Sequence, residues 1–315
     1  MRQEIFDDCL NEWSHSVGNK KFWPILAEKW GYESGEILRS SFKRARRKKG
    51  ISKNNVERII NQPKICVFDT EFSSMIVSAF QLWEQNITPD KIIKDSFMLC
   101  WSAKIINDDE IYSDVLTGEE AKDGNDYRIV CSIWNLLSSS EIWVGQNIRG
   151  YDLKKLNTRF LFHGLVPLPK RQIVDTYLVA KSNFAFPSNG LAYINKFLGI
   201  KQKLETEGYS LWDSCMNGDE EALKKMDFYC RGDSVATTEL YFKLLPFIAG
   251  HPNLALYAEN NEKTCRNCGS TNIVELGYEY TPQGKFRSIR CVDCGYTGHL
   301  KQNELSKEKK KNLII

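Results

Sequence analysis

Two carboxylates close an apolar run in this chain of 315 residues. Asp69 and Glu71 follow KICVF, and their i, i+2 spacing puts both side chains on one face of an extended backbone. Two acids leaving a sheet edge together are costly without a cation. Asp152 lies in GQNIRGYDLKKL, where a helix is expected to open after the strand EIWVG; taken alone it reads as an acid favoured by the helix dipole. Tyr229 and Asp233 sit four apart in DFYCRGDSVATTELY, hence on one helix face. Each of these features is ordinary singly, and their joint order is what stands out.

A second set of chemical groups lies near the other end. Cys265-x-x-Cys268 and Cys291-x-x-Cys294 are each followed by glycine, with 22 residues between the pairs. Four thiolates at this spacing suit one tetrahedral zinc, and a redox dithiol is the less favoured alternative. With no ligand position left for water, the zinc is expected to be structural. The intervening NIVELGYEY and KFRSIR read as two strands joined by a turn at TPQG, and the segment resembles a zinc ribbon.

The acids occur in the order FDTE, N-x-x-x-Y-D, and Y-x-x-x-D, with VDTY (174–177) between the second and third groups. This resembles the three motifs of the DEDDy 3′-to-5′ exonucleases, particularly the proofreading domains of family B DNA polymerases. The resemblance covers roughly 64–245 and omits every polymerase motif, so it implies a stand-alone exonuclease with added modules. It also implies a ribonuclease H-like α/β fold, with a mixed five-stranded sheet flanked by helices.

Phosphodiester hydrolysis needs an activated water, charge stabilisation at phosphorus and help for the leaving 3′-oxygen, which two divalent ions about 4 Å apart provide. Hard oxygen ligands favour magnesium or manganese. By the resemblance, Asp69, Glu71 and Asp233 would hold one ion and Asp69 with Asp152 the other. Tyr229 would position the attacking water, being a better hydrogen-bond orienter than base with an ordinary pKa near 10. Asn147 would contact the substrate, and Phe72 would stack on or wedge the terminal base, the alternatives being a turn-forming asparagine and a core phenylalanine. The chain has Gln146 before Asn147 where related enzymes often show His, and Gly232 interrupts a helix that prefers alanine there.

The elements that must position these groups follow from hydrophobic period and punctuation. Strands are expected at 64–69, 75–83, 97–105, 111–115 and 141–145, with a further short one ending at Val174. Helices are expected at 126–137, from 152, from Asp175 onward, and from about Asp219 to Leu245 before Pro246. This is a mixed sheet flanked by helices. Ahead of it, two helices at 20–30 and 33–50 join at Gly31, with Ser34 as cap and Ile37, Leu38 and Phe42 as an inward stripe. The domains expected are a basic, helix-turn-helix-like module (1–62), the exonuclease core (63–250), a linker (251–262), the zinc ribbon (263–302) and a basic tail (303–315).

Charge is partitioned in the same way. Residues 1–62 carry a net +5, residues 63–262 a net −7 and residues 263–315 a net +5. Basic ends suggest a polyanion partner, and an acidic middle would repel one unless cations neutralise it. Arg39, Lys43, Arg44, Arg46, Arg47, Lys48 and Lys49 concentrate on the second helix and are expected to meet nucleic-acid phosphates, the alternative being a solvated face. An acidic, polar start and no run of 18 apolar residues point to a cytoplasmic protein with no membrane partner; a viral or mobile-element origin is compatible with this. The expectation is a 3′-to-5′ exonuclease acting on single-stranded DNA. The alternatives are an exoribonuclease, or a non-catalytic nucleic-acid-binding or transcription-related protein built on the same scaffold.

Overall fold

The computed structural model describes residues 2, 4–6, 8–9, 22–48, 63–81, 83, 86–200, 208–258, 262–282 and 284–314, without the side chains of residues 22 and 46–48. The chain forms two compact units, Met1–Gln62 with Leu254–Glu262, and Pro63–Asn253 with Lys263–Ile315. Among the described residues no helix is long and apolar enough to cross a membrane.

The first unit contains helices α1 (Phe22–Lys29) and α2 (Gly35–Lys48). Gly31 ends α1 in the left-handed region at φ 69°, so that the Tyr32 N–H reaches back to the Ala27 carbonyl at 2.8 Å. Ser34 Oγ then accepts the Ile37 N–H at the start of α2. Trp23 and Leu26 pack against Leu38 and Phe42, with Phe6 also against Phe42. Ile37, expected in this stripe, is 44% exposed. Leu38 and Phe42, four apart, define the buried face, and Ile37 is rotated by about 100° from Leu38.

The second unit is built on β1 (Ile65–Phe72), followed by the short strands β2 (Ile76–Val77) and β3 (Ile92–Lys94). It continues through β4 (Met98–Ile105), β5 (Ile111–Val115), α3 (Gly118–Asp123), α4 (Tyr127–Ser138), β6 (Ile142–Gly145), α5 (Asp152–Phe162) and β7 (Gln172–Asp175). Helices α6 (Thr176–Asn183), α7 (Leu191–Leu198), α8 (Tyr209–Met216) and α9 (Glu220–Leu244) complete the core. The main sheet has the order β5-β4-β1-β6-β7, with β4 antiparallel to β1 and β5, and β1, β6 and β7 parallel. Phe68, Met98, Leu99, Ile129, Ile133, Leu137, Leu156 and Phe160 are fully buried around it. The strand expected over 75–83 is a correction: among the described residues of that span only Ile76 and Val77 pair, with Lys94 and Ile92, outside the main sheet. Phe80 and Trp83 stand 92% and 80% exposed, with no strand among the described residues covering that apolar run.

The C-terminal module is a three-stranded antiparallel sheet of β8 (Ile273–Thr281), β9 (Gly284–Cys291) and β10 (Thr297–Asn303), in the order β10-β9-β8. A short helix, α10 (Lys307–Lys311), follows. Strand β10, TGHLKQN, has little apolar alternation and was not anticipated from the sequence. The module is fastened to the end of α9. Asn267 donates to the carbonyls of Leu245 and Ile248 at 2.9 and 3.0 Å, and Arg266 donates to that of His251 at 2.8 Å. His251 is buried, accepts the Tyr241 hydroxyl and donates to Pro252 O; burial lowers its pKa to about 4, keeping the ring neutral.

Candidate active site

Alternation along β1 does the first part of the assembly. Thr70 and Phe72 are buried, whereas Asp69 and Glu71 are half-buried on the other face. Antiparallel pairing sets Asp69 opposite Ser102 and Glu71 opposite Cys100 on β4. Helix α9 is keyed onto this ladder by polar groups rather than by apolar contact alone. Ser102 Oγ donates to the Cys230 carbonyl at 2.7 Å and shares a hydrogen bond with Ser234 Oγ at 2.5 Å, while the Cys230 thiol lies 3.6 Å from Asp69 Oδ2. These contacts fix the rotation of α9, and Asp233 consequently faces β1.

Carboxylate oxygens of Asp69, Glu71 and Asp233 lie within 4.8 Å of one another. Burial and the neighbouring charges together push Asp69 well above the usual carboxylate range and Glu71 up to about 8. Burial also raises Asp233, partly offset by a hydrogen bond from the Tyr229 hydroxyl. The phenol of Tyr229 is itself raised, by burial and then by the charges of Asp233 and Glu71, so it keeps its proton. Its ring meets Trp212 edge-on at 6.3 Å. Three carboxyls that burial makes reluctant to ionise form a donor set for a hard divalent cation, whose charge would favour their ionised forms.

Asp152 does not join that trio. It is buried, with its pKa raised to about 6 mainly by burial, and Oδ1 accepts the Thr70 hydroxyl at 2.5 Å. Its charge still bears on Asp69 and Glu71. The loop that delivers it leaves β6 at Gly145, where a side-chain carbon would lie 2.9 Å from the Phe68 carbonyl. Asn147 then takes the left-handed conformation at φ 58°. Asp175 holds this loop, accepting the N–H groups of Asn147 at 2.9 Å and Arg149 at 3.0 Å while capping α6 through Tyr177 N and Leu178 N. Gln146 bridges the Thr176 hydroxyl and the Asn189 carbonyl, which gives this departure from the histidine pattern a structural task.

Thr70, Ser102, Asp175 and Ser234 were not singled out as site residues from the sequence. VDTY carried a signal for Asp175, since an acid at a strand-to-helix junction is a natural cap; the two serines carried none. Phe72 is buried, capped edge-on by Tyr151 at 6.3 Å, with Lys155 Nζ 5.5 Å above its ring. The exposed ring at this place belongs to Tyr151, and the Asn147 side chain is exposed. Arg39, Lys43 and Arg44 are exposed on α2; the side chains of Arg46, Arg47 and Lys48, and all of Lys49, lie outside the described residues.

Sulfur atoms of Cys265, Cys268, Cys291 and Cys294 lie within 4.8 Å of one another, with Sγ–Sγ separations of 3.6 Å for 265–294 and 3.5 Å for 268–291. A tetrahedral zinc with its usual bond lengths needs sulfur edges of about 3.8 Å, so the donor set fits. Gly269 and Gly295, one after each pair, adopt φ 72° and 80°. Those left-handed turns aim the N–H of each glycine at the carbonyl of Cys265 or Cys291.

Residues 106–245 match the family model described as RNase_H superfamily. The core is ribonuclease H-like. The match spans Asp152, Tyr229 and Asp233 and begins after β1, on which Asp69 and Glu71 sit. This ribonuclease H-like core has the mixed five-stranded sheet and flanking helices expected of it. No curated protein matches the chain. Among solved structures, the family B DNA polymerase from the hyperthermophilic archaeon Pyrobaculum calidifontis is 18% identical, with a TM-score of 0.45. The alignment covers 63% of this chain, which spans about a quarter (27%) of that polymerase.

Proposed function

We propose that this protein is a divalent-metal-dependent 3′-to-5′ exonuclease that releases nucleoside 5′-monophosphates from single-stranded nucleic acid, DNA in preference to RNA. The observation that carries this reading is the convergence of Asp69, Glu71 and Asp233, with Tyr229 donating to Asp233 and Asp152 beside them. Asp69, Glu71 and Asp233 would hold one Mg²⁺ or Mn²⁺, and Asp69 with Asp152 a second. Bound there, such ions supply water activation and charge stabilisation for phosphodiester hydrolysis.

The chain's own residues do the rest. Tyr229, whose phenol stays protonated, orients the attacking water by hydrogen bonding instead of removing its proton. Thr70 fixes the Asp152 carboxyl, and Asp175 fixes the loop bearing Asn147 so that its exposed amide meets the terminal nucleotide. The four cysteines hold a structural zinc, and the exposed cations of α2 give the first unit a phosphate-contacting helix.

Incubation of 5′-labelled single-stranded DNA and RNA with magnesium tests the reading. A descending ladder with 5′-monophosphate products, faster on DNA and absent from a circular strand, is expected. Cleavage of the circle would refute the end requirement, and no cleavage of either linear strand would leave the fold as a non-catalytic scaffold.

A further inference from the structure

The acidic middle of the chain contains one stretch that departs from its surroundings. Residues 176–204 hold four lysines and five aromatic residues, with no aspartate or glutamate, inside a region of net −7. Three of its rings form a continuous row with a ring from beyond α9. Phe184 packs on Phe186 at 5.3 Å and on Phe247 at 5.1 Å, and Phe186 meets Phe197 at 5.4 Å. Tyr193 extends the row, stacked on Phe197 at 6.4 Å. Although the rings touch, the row is not a closed core: Phe197 is 64% exposed and Phe247 55%.

Beside the row runs a groove of about 730 Å³, lined in part by Arg149, Lys181 and Ile248. Asp175 also lines the groove, but its carboxylate is occupied by backbone N–H groups of the Asn147 loop and α6. Row and groove are tied to that loop at two points, through Asp175 at the start of α6 and through Gln146, which donates to Asn189 O at 2.8 Å. Asp175 and Phe184 flank the eight residues of α6, so they lie about 13.5 Å apart along its axis, the length of a few nucleotides.

Contiguous exposed rings on a protein surface are a mark of interaction sites. A row of rings with lysines and arginine beside it has the chemistry of a surface on which successive bases stack while cations track phosphates. We propose that the row Phe184, Phe186, Phe197 and Phe247, with Arg149 and Lys181, holds the single strand that runs back from the carboxylate site. The assignment of the strand as substrate rests on the exonuclease reading, whereas its binding does not require cleavage.

Fluorescence anisotropy without added magnesium or manganese, zinc being retained, and using a labelled single strand of about 20 nucleotides, measures that binding with hydrolysis switched off. Phe197→Ala combined with Phe247→Ala removes exposed rings and should weaken binding roughly tenfold, the scale of a lost base stack. Lys181→Glu combined with Lys196→Glu, a surface change that spares every ring, should weaken it as well. It should also flatten the log-log salt slope by about 0.7 for each lost phosphate contact. Wild-type affinity and slope in both variants, with melting curves unchanged, would overturn the proposal. So would unchanged strand binding together with loss of self-association in sedimentation, which would make the row a protein interface. Hydrolysis of the p-nitrophenyl ester of thymidine 5′-monophosphate, which is too small to reach the row, reports the carboxylate site separately. Its failure counts against the exonuclease reading alone.

Discussion

The carboxylate cluster and the cysteine cluster are both shaped for metal, and they are built in opposite ways. Asp69, Glu71 and Asp233 rest on the central strand of a large sheet and on a helix of 25 residues, above a core whose main side chains are fully buried. That scaffold forms whatever the acids do, and the acids burden it, since burial raises Asp69, Glu71 and Asp233 alike and neighbouring charges raise the first two further. The four cysteines sit on two tight turns and a three-stranded sheet whose exposed faces include Tyr280 and Leu276. There the metal is expected to supply much of the folding free energy. One site carries an electrostatic cost that a bound cation would relieve, and the other, with zinc bound, would act as a fastener. They meet at α9, which carries Asp233 and Tyr229 near its middle and receives Asn267 and Arg266 around its C-terminal end.

The largest effect should come from removing a first-site ligand. Asp69→Ala or Asp233→Ala is expected to lower magnesium-dependent cleavage by about a thousandfold or more, while strand binding persists, because neither residue is a basic contact. Breaking the fastener tests the other half of the comparison. Cys265→Ser with Cys291→Ser should release about one zinc per chain and melt the C-terminal module. It should also lower the thermal midpoint of the core, because the carbonyls of Leu245, Ile248 and His251 lose their partners. Metal analysis and calorimetry on the same samples check both; purified wild type without zinc would contradict the assignment.

Much of this division is legible in the sequence. Period-two spacing places Asp69 with Glu71, the i, i+4 spacing places Tyr229 with Asp233, and the paired CxxCG segments announce the thiol cluster. What escapes depends on contacts between distant segments. Nothing local in FDTE says that Thr70 serves Asp152, 82 residues away, and neither Ser102 nor Ser234 differs in type from any surface serine. The excursion at 75–83 misleads for a physical reason: an apolar run reads as a strand only if an edge exists to receive it. Strand β10 misleads in the opposite sense, since a small sheet needs no apolar alternation when its turns are fastened elsewhere.

A smaller catalytic effect separates orientation from ligation. Tyr229→Phe keeps the ring against Trp212 but removes the hydroxyl that donates to Asp233. Cleavage should fall by something like 10- to 1000-fold with metal affinity retained. A rate equal to wild type would remove the tyrosine from the mechanism.

The smallest expected effect is on stability, and its sign follows from the raised carboxyls. Glu71 moves from an ordinary value of 4.5 to about 8 on folding, so between those limits the unfolded chain has released a proton that the folded chain retains. Rising pH therefore favours the unfolded state across that window, and below it the difference vanishes. Without added magnesium or manganese, and with zinc retained, the thermal midpoint should fall from pH 5 to pH 8, and Glu71→Gln should shallow that decline. Magnesium should restore most of the loss at pH 8. A midpoint that rises over this range would contradict the assigned protonation.

The most direct measurement is proton release when manganese binds at pH 7, read by calorimetry in buffers of different ionisation enthalpy. If raised carboxyls hold the place of cations, binding should expel about one proton or more per chain, and Asp69→Asn with Glu71→Gln should abolish both the binding and the release. Manganese binding without proton release, or binding that survives the double substitution, would contradict the carboxylate site as the metal centre.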